Sequence, residues 1–192
     1  GKINDQWNSI GVISNHSSTV GSYDLDIVNS DGSNNSTLNK IKNNKIDMLF
    51  LFGQDDLFFS KKNEYVVYIG THGDRGAEIS DLILPGAAYT EKESHYSNLE
   101  GKLQKTYKAS FPPGDALEDW EIINKLSELI KRKKIFKDKN ELLDSMENYL
   151  KLKKEKPSKP LSNQSIDIIN EKIKVHEIDY YYSNVIARAS KT

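Results

Sequence analysis

Apolar residues concentrate in three short runs near the middle of the chain. Ile46-Asp47-Met48-Leu49-Phe50-Leu51-Phe52 ends at Gly53, Tyr65-Val66-Val67-Tyr68-Ile69 ends at Gly70, and Leu82-Ile83-Leu84 ends at Pro85. Runs of this length, apolar at consecutive positions and closed by Gly or Pro, suit strands of a parallel sheet covered on both faces. They are too short for buried helices. Upstream, residues 29–45 are rich in Asn, Ser and Lys around Asp31-Gly32, which predicts a loop leading into a short helix near 36–43.

The period changes after Pro112-Pro113-Gly114. Asp115 followed by Glu118 resembles a capping box for a helix over 116–132. Leu117, Trp120, Ile123, Leu126 and Ile130 recur at helical spacing and predict one buried stripe. Lys131, Arg132, Lys133 and Lys134 complement the dipole at its solvated end. Asp138 with Glu141 repeats the cap pattern before a helix over 139–152, carrying Leu142, Leu143, Met146, Tyr149 and Leu150. Lys151 to Gln164 reads as a Lys/Pro/Ser-rich linker, followed by a short helix near 165–174 and an extended tail with Tyr180, Tyr181 and Tyr182. No internal repeat is evident. The pattern describes an α/β fold, a mainly parallel sheet with helices on both faces.

At 192 residues the chain suits one domain, or one domain plus an appendage. A chain of that size buries roughly 70% of its unfolded surface and needs no disulfide or metal staple. The formal net charge of −1 provides no global field for nucleic acid or an anionic membrane. The chain contains no cysteine, which removes local iron–sulfur clusters, thiolate zinc sites and thiol nucleophiles. No apolar run approaches the roughly 18 to 20 residues that span a bilayer, and Gly1-Lys2-Ile3-Asn4-Asp5 lacks the apolar core of a signal peptide. The chain starts without Met, as a processed chain or a piece of a longer one would. Of its 27 basic residues only Arg75, Arg132 and Arg188 are arginine. Lys, Asn and Ile share AT-rich codons, a coding bias of the kind found in mitochondrial genomes.

Candidate chemistry is sparse. His16, His72, His95 and His176 stand at no metal-ligating spacing from one another. Gly70-Thr71-His72-Gly73-Asp74-Arg75-Gly76-Ala77 follows a predicted strand, and its glycines would let backbone approach a ligand closely. It matches neither the dinucleotide nor the P-loop fingerprint. His72 and Asp74 could form an acid–base pair, but no nucleophile stands beside them; a rigid loop bonding its own backbone is the better reading. Glu91, Glu93, His95 and Glu100 invite general acid–base work, yet a solvated or interfacial loop fits them better.

The strongest signal lies in ordered motif blocks. Gly70 to Ala77, Ser80-Asp81-Leu82-Ile83-Leu84-Pro85-Gly86-Ala87-Ala88-Tyr89-Thr90-Glu91-Lys92, and Asn98-x-Glu100-Gly101-x-x-Gln104 come in succession. Pro112-Pro113-Gly114-Asp115-Ala116 and Glu118-Asp119-Trp120-Glu121-Ile122-Ile123 follow. Trp7-Asn8 and Val20-Gly21-x-x-Asp24-Leu25-Asp26 precede them, and Asp179-Tyr180-Tyr181-Tyr182-Ser183 with Ile186-Ala187-Arg188-Ala189-Ser190 ends the series. Together these resemble the C-terminal part of the large iron–sulfur subunit of respiratory complex I, within the molybdopterin oxidoreductase superfamily. The L-P-G-A and N-x-E-G-x-x-Q portions are shared across that superfamily; H-G-D-x-G-A and A-A-Y-T-E-K point to complex I.

The resemblance implies a molybdopterin-oxidoreductase-type α/β domain over 1–132, with a helical and linker extension over 133–192 packing on it. It implies no catalytic, cofactor-binding or metal-binding residue in this chain. The iron–sulfur clusters are expected in a partner chain or in an N-terminal part of the same subunit. Complex I members have generally lost the pterin, and here His95 and Leu99 replace usual threonines while Lys102 replaces an arginine, which weakens any anion cradle. The implied role is a structural, non-catalytic portion of the peripheral arm, a split subunit or a fragment of a longer one. Its partners would be the cluster-bearing part and other peripheral-arm subunits, with no nucleic acid and no direct membrane span. Its place would be the matrix side of the mitochondrial inner membrane, or the cytoplasmic face of a bacterial plasma membrane. The alternatives are the cofactor-binding domain of a molybdopterin oxidoreductase and a stand-alone enzyme using His72 and Asp74.

Overall fold

The computed structural model describes residues 3–4, 7–8, 13–14, 16–27, 35–54, 59–154, 179, 181–182 and 184–190. Its centre is a parallel sheet in the order β3 (Met48–Phe52), β4 (Tyr65–Gly70), β5 (Leu82–Pro85). These are the three apolar runs, in the parallel arrangement their pattern predicts. Two antiparallel hairpins accompany the sheet: β1 (Ile3–Asn4) with β2 (Trp7–Asn8), and β6 (Ser94–Ser97) with β7 (Leu103–Thr106). Six helices complete the described chain: α1 (Thr19–Asp24), α2 (Asn35–Lys42), α3 (Arg75–Glu78), α4 (Asp119–Lys131), α5 (Lys139–Lys154) and α6 (Val185–Ala189).

Strand β4 carries the core because, among the described residues, it alone has a strand on each side. Val66, Val67, Tyr68 and Ile69 are all buried. Residues alternate between faces, so Val66 and Tyr68 share one face with Leu49 and Leu51 of β3. Phe59 and the α3 segment, through Ala77 and Ile79, pack against this cluster. The other face carries Val67 and Ile69 at its centre, but Met48, Phe52, Tyr65 and Leu82 around them are 41–54% exposed. Both faces of the edge strands are therefore only partly covered among the described residues.

Asp81 sets the register of β5. Its carboxylate accepts from Val66 N–H at 2.7 Å and pairs with Lys61 Nζ at 2.6 Å, while its own N–H donates to Val66 O at 2.8 Å. Lys61 first, then the Val66 N–H, hold this carboxyl below its ordinary value. The sheet gains one further rung past Pro85. Leu117 N–H donates to Pro85 O at 3.2 Å, and Ala87 N–H donates to Leu117 O at 2.8 Å.

That rung corrects the expected start of α4. Leu117 is extended to reach Pro85, so Glu118 rather than Asp115 is the N-cap, and the capping box is Glu118 with Glu121. Glu118 N–H donates to Glu121 Oε2 at 3.0 Å. The predicted stripe also needs correction: Ile122 and Asn124 are the buried positions, while Ile123 is 38% and Ile130 70% exposed. Asn124 is buried because it ties down the connector to α5. Its Nδ2 donates to Phe136 O at 2.7 Å, and its Oδ1 accepts from Ile135 and Phe136 N–H at 3.0 and 3.1 Å. Asp138 caps α5 as the pattern predicts, accepting from Asn140 and Glu141 N–H.

The C-terminal expectations fare unevenly. Helix α5 runs to Lys154, so the first residues of the expected linker are helical. They are held because Lys153 Nζ donates to Tyr23 O, Asp24 O and Asp26 Oδ1 at 2.6–2.8 Å, capping the carbonyl end of α1. The rest of that linker and the helix expected near 165–174 lie outside the described residues. The tail is not extended where it is described. Asp179 Oδ1 accepts from Tyr181 and Tyr182 N–H, and Asn184 Oδ1 caps α6 through Ala187 N–H at 3.0 Å.

Asn124→Ala leaves three connector groups without their partner and is expected to cost about 2–3 kcal/mol. Ile130→Ala, on the exposed side of the same helix, should stay within about 0.5 kcal/mol. Urea denaturation of both variants checks the contrast.

Candidate functional site

In open parallel sheets the carboxyl ends of the strands frame a crevice where ligands bind. Here a cleft of about 360 Å³ sits at that edge, between the ends of β3, β4 and β5 and the start of α4. Phe52 and Gly53, Gly70 and Thr71, and the segment 86–89 line its floor and walls, with Lys92, Tyr96, Asp119 and Val185 at its rim.

The glycine-rich turn after β4 is shaped by Tyr68. A Cβ at Gly76 would sit 2.5 Å from the buried Tyr68 ring and 2.7 Å from the Gln54 carbonyl oxygen. A Cβ at Gly70 would also collide with that ring. The glycines therefore let the chain fold tightly over its own tyrosine. Thr71 Oγ1 lies 2.8 Å from His72 Nδ1, and Asp74 Oδ1 accepts from Arg75 N–H at 2.8 Å. Asp74 Oδ2 accepts from Arg188 Nε at 2.9 Å, which ties α6 to the turn and brings Val185 to the cleft. His72 and Asp74 are thus committed to neighbours, as a rigid loop requires.

The other motif blocks behave alike. Lys92 Nζ meets Asp119 Oδ2 at 2.6 Å across the cleft rim, joining two blocks 27 residues apart. Glu91 Oε2 accepts from Ala88 N–H at 2.9 Å and closes the turn over 88–91. Asn98 Oδ1 accepts from Glu100 and Lys102 N–H at 3.0 and 2.9 Å, and Gly101 takes φ +74°, so the N-x-E-G segment is the β6–β7 turn. Glu118 Oε2 accepts from Trp120 Nε1 at 3.1 Å and Lys139 Nζ at 2.7 Å, binding α4 to α5.

The carboxylates near His95 are not assembled into a site. Glu91 holds its turn, Glu93 pairs with Lys105 at 3.3 Å, and Glu100 is exposed at the hairpin tip. His95 lies on β6 opposite Lys105, beside Trp120, Phe136 and Met146 under α5. The expected loop is therefore a strand, because Asn98 and Gly101 bring residues 94–97 back against 103–106. His16 sits before α1, and His176 lies outside the described residues. Among the described residues no three His, Asp or Glu side chains cluster as a metal site would require. The cross-cleft ion pair was missed by sequence reasoning; a lysine and an aspartate 27 positions apart give no local pattern.

Residues 1–129 match the molybdopterin oxidoreductase family. The chain belongs to that family. It is 44% identical over 130 residues to the NADH-ubiquinone oxidoreductase 75 kDa subunit of Reclinomonas americana, covering 66% of this chain and 18% of that protein. It is 34% identical to a subunit of the NADH-quinone oxidoreductase of Rickettsia bellii, over 99% of this chain and 28% of that protein. The mitochondrial NADH-ubiquinone oxidoreductase 78 kDa subunit of Candida albicans is also 34% identical, over 97% of this chain and 27% of its own length. The chain thus spans less than a third of these relatives, and the complex I resemblance extends along nearly all of it. No helix among the described residues is long and apolar enough to cross a membrane.

Burial pushes the Asp74 carboxyl up, but the hydrogen bonds from Arg188 and Arg75 N–H and the Arg188 charge outweigh it, so the group sits below its ordinary value. A lowered carboxyl stabilises the fold above its unfolded value and loses that contribution as pH falls through the folded one. The α6 clasp is therefore expected to loosen below about pH 4. The protection factors of the α6 amides, taken against the intrinsic exchange rate at each pH, should fall in that range, and Arg188→Gln should abolish the acid-dependent step while lowering protection at neutral pH.

Proposed function

We propose that this chain is a structural, non-catalytic portion of the peripheral, NADH-oxidising arm of respiratory complex I, partnering the polypeptide that carries the iron–sulfur clusters. One observation carries the reading: most of the polar residues of the family motifs are engaged within the chain itself. Asp74, Asp81, Glu91, Lys92, Asn98, Glu118 and Asp119 each hold backbone or an opposite charge within the chain. The relatives support the assembly, since all three are NADH-oxidising complex subunits by name. With no cysteine, cluster ligation falls to other polypeptide. That polypeptide is either a separate chain or a continuation of this one. The location that follows is the matrix side of the mitochondrial inner membrane, or the cytoplasmic face of a bacterial plasma membrane.

The crevice raises a second reading, a pterin-binding domain. Its lining does not suit that group. A phosphate-bearing pterin needs cations, and Lys92, the cation lining the cleft among the described residues, is already neutralised by Asp119. Arg75 and Arg188 near the turn face Glu78 and Asp74. No thiolate is present to complete a metal's coordination. The domain is a cofactor fold turned to scaffolding.

Native electrophoresis of solubilised membranes with an NADH-driven stain tests both readings. The chain should run in the active band with the cluster-bearing sequence, and molybdenum there should be far below one atom per chain. Absence from the band would refute the complex I role, and stoichiometric molybdenum would establish the pterin reading instead.

A further inference from the structure

The outer edge of β3 pairs with nothing among the described residues. Its hydrogen-bonding pattern fixes which groups face that edge. Tyr65 N–H donates to Asp47 O, and Gly53 N–H donates to Ile69 O, so the odd-numbered residues 47 to 53 bond to β4. In a parallel ladder the residues between them point their N–H and C=O the other way. Met48, Phe50 and Phe52 therefore present a row of donors and acceptors that no strand among the described residues engages. Their side chains share one face, where the Phe50 and Phe52 rings stack at 6.3 Å and Met48 and Phe52 are 54% and 49% exposed. An edge that is unpaired, apolar and without Pro is a template for another strand.

We infer that β3 is extended by a strand from the polypeptide that carries the remainder of this family's fold. The inference rests on the proposed role and adds the surface through which the partner docks. Two observations select that occupant. The relatives align along 97–99% of this chain yet have it as only 27–28% of their length, so most of the family's fold lies in other sequence. The sheet also steps in one direction from β3 through β5, and doubly wound sheets place the other half of the strands beside the first strand of such a series. Before β3, the described residues supply only the two-residue strands β1 and β2, paired with each other.

Methionine placement makes the test direct, because the chain has two, Met48 and Met146. Cells are grown with a diazirine analogue of methionine, irradiated, and the NADH-oxidising band is digested and sequenced. Cross-links from residue 48 should reach the cluster-bearing sequence. Residue-resolved hydrogen exchange on the same assembly should find the Met48, Phe50 and Phe52 amides protected to within about tenfold of Leu49 and Leu51. Cross-links from residue 48 to a second copy of this chain or to another subunit, or fast exchange at the outward amides, would overturn the edge assignment while the chain remains in the active band. Absence of the chain from that band would overturn the proposed role, and the edge assignment with it.

Discussion

The phenol ring of Tyr68 occupies the space that Cβ atoms would need at Gly70 and Gly76, so the chain leaving β4 turns directly over its own strand. The rest of the crevice follows from that seat. The turn delivers Asp74 to the start of α3, and Asp74 in turn receives Arg188 from α6. On the same face Tyr68 joins Val66 and Leu51 in the core that Phe59, Ala77 and Ile79 cover. The glycines of this turn make room for an aromatic ring of the preceding strand.

A second layer of constraint is electrostatic. Lys92 and Asp119 close the rim of the cleft, and Glu118 gathers Trp120 and Lys139 at the junction of α4 and α5. The Lys92–Asp119 and Glu118–Lys139 pairs join segments far apart in sequence. The lysine-rich stretch after α4 acquires a purpose in the same terms. Lys139 and Lys153 anchor α5 to Glu118 and to the carbonyl end of α1, while Lys131, Lys133 and Lys134 stay solvated.

The strands were legible because short unbroken apolar runs closed by Gly or Pro mark parallel strands, although burial on both faces is realised among the described residues only along β4, with Leu82 and Ile83 of β5 left exposed. The cap of α5 at Asp138 was legible because a cap is local. The start of α4 was not, since Leu117 answers to Pro85, far away in the chain but adjacent in the sheet. The stripe on α4 misled for a related reason: helical spacing marks a face without saying what covers it, and Ile123 and Ile130 face outward among the described residues. The hairpin at 94–106 hid behind a carboxylate cluster that looked chemical, although Asn98 and Gly101 carried the turn signal. Family motifs located the important residues but not their use. Only the geometry reveals that these polar motif residues are committed to other parts of the same chain.

A double-mutant cycle on Lys92 and Asp119 tests that central point most directly, with stability measured by denaturation for Lys92→Ala, Asp119→Ala and the pair. The account predicts a coupling of about 0.5–1 kcal/mol, the pair being partly exposed, with the second substitution nearly silent once the first is made. Zero coupling, together with loss of a bound pterin on removing Lys92 alone, would contradict it and return the crevice to ligand binding.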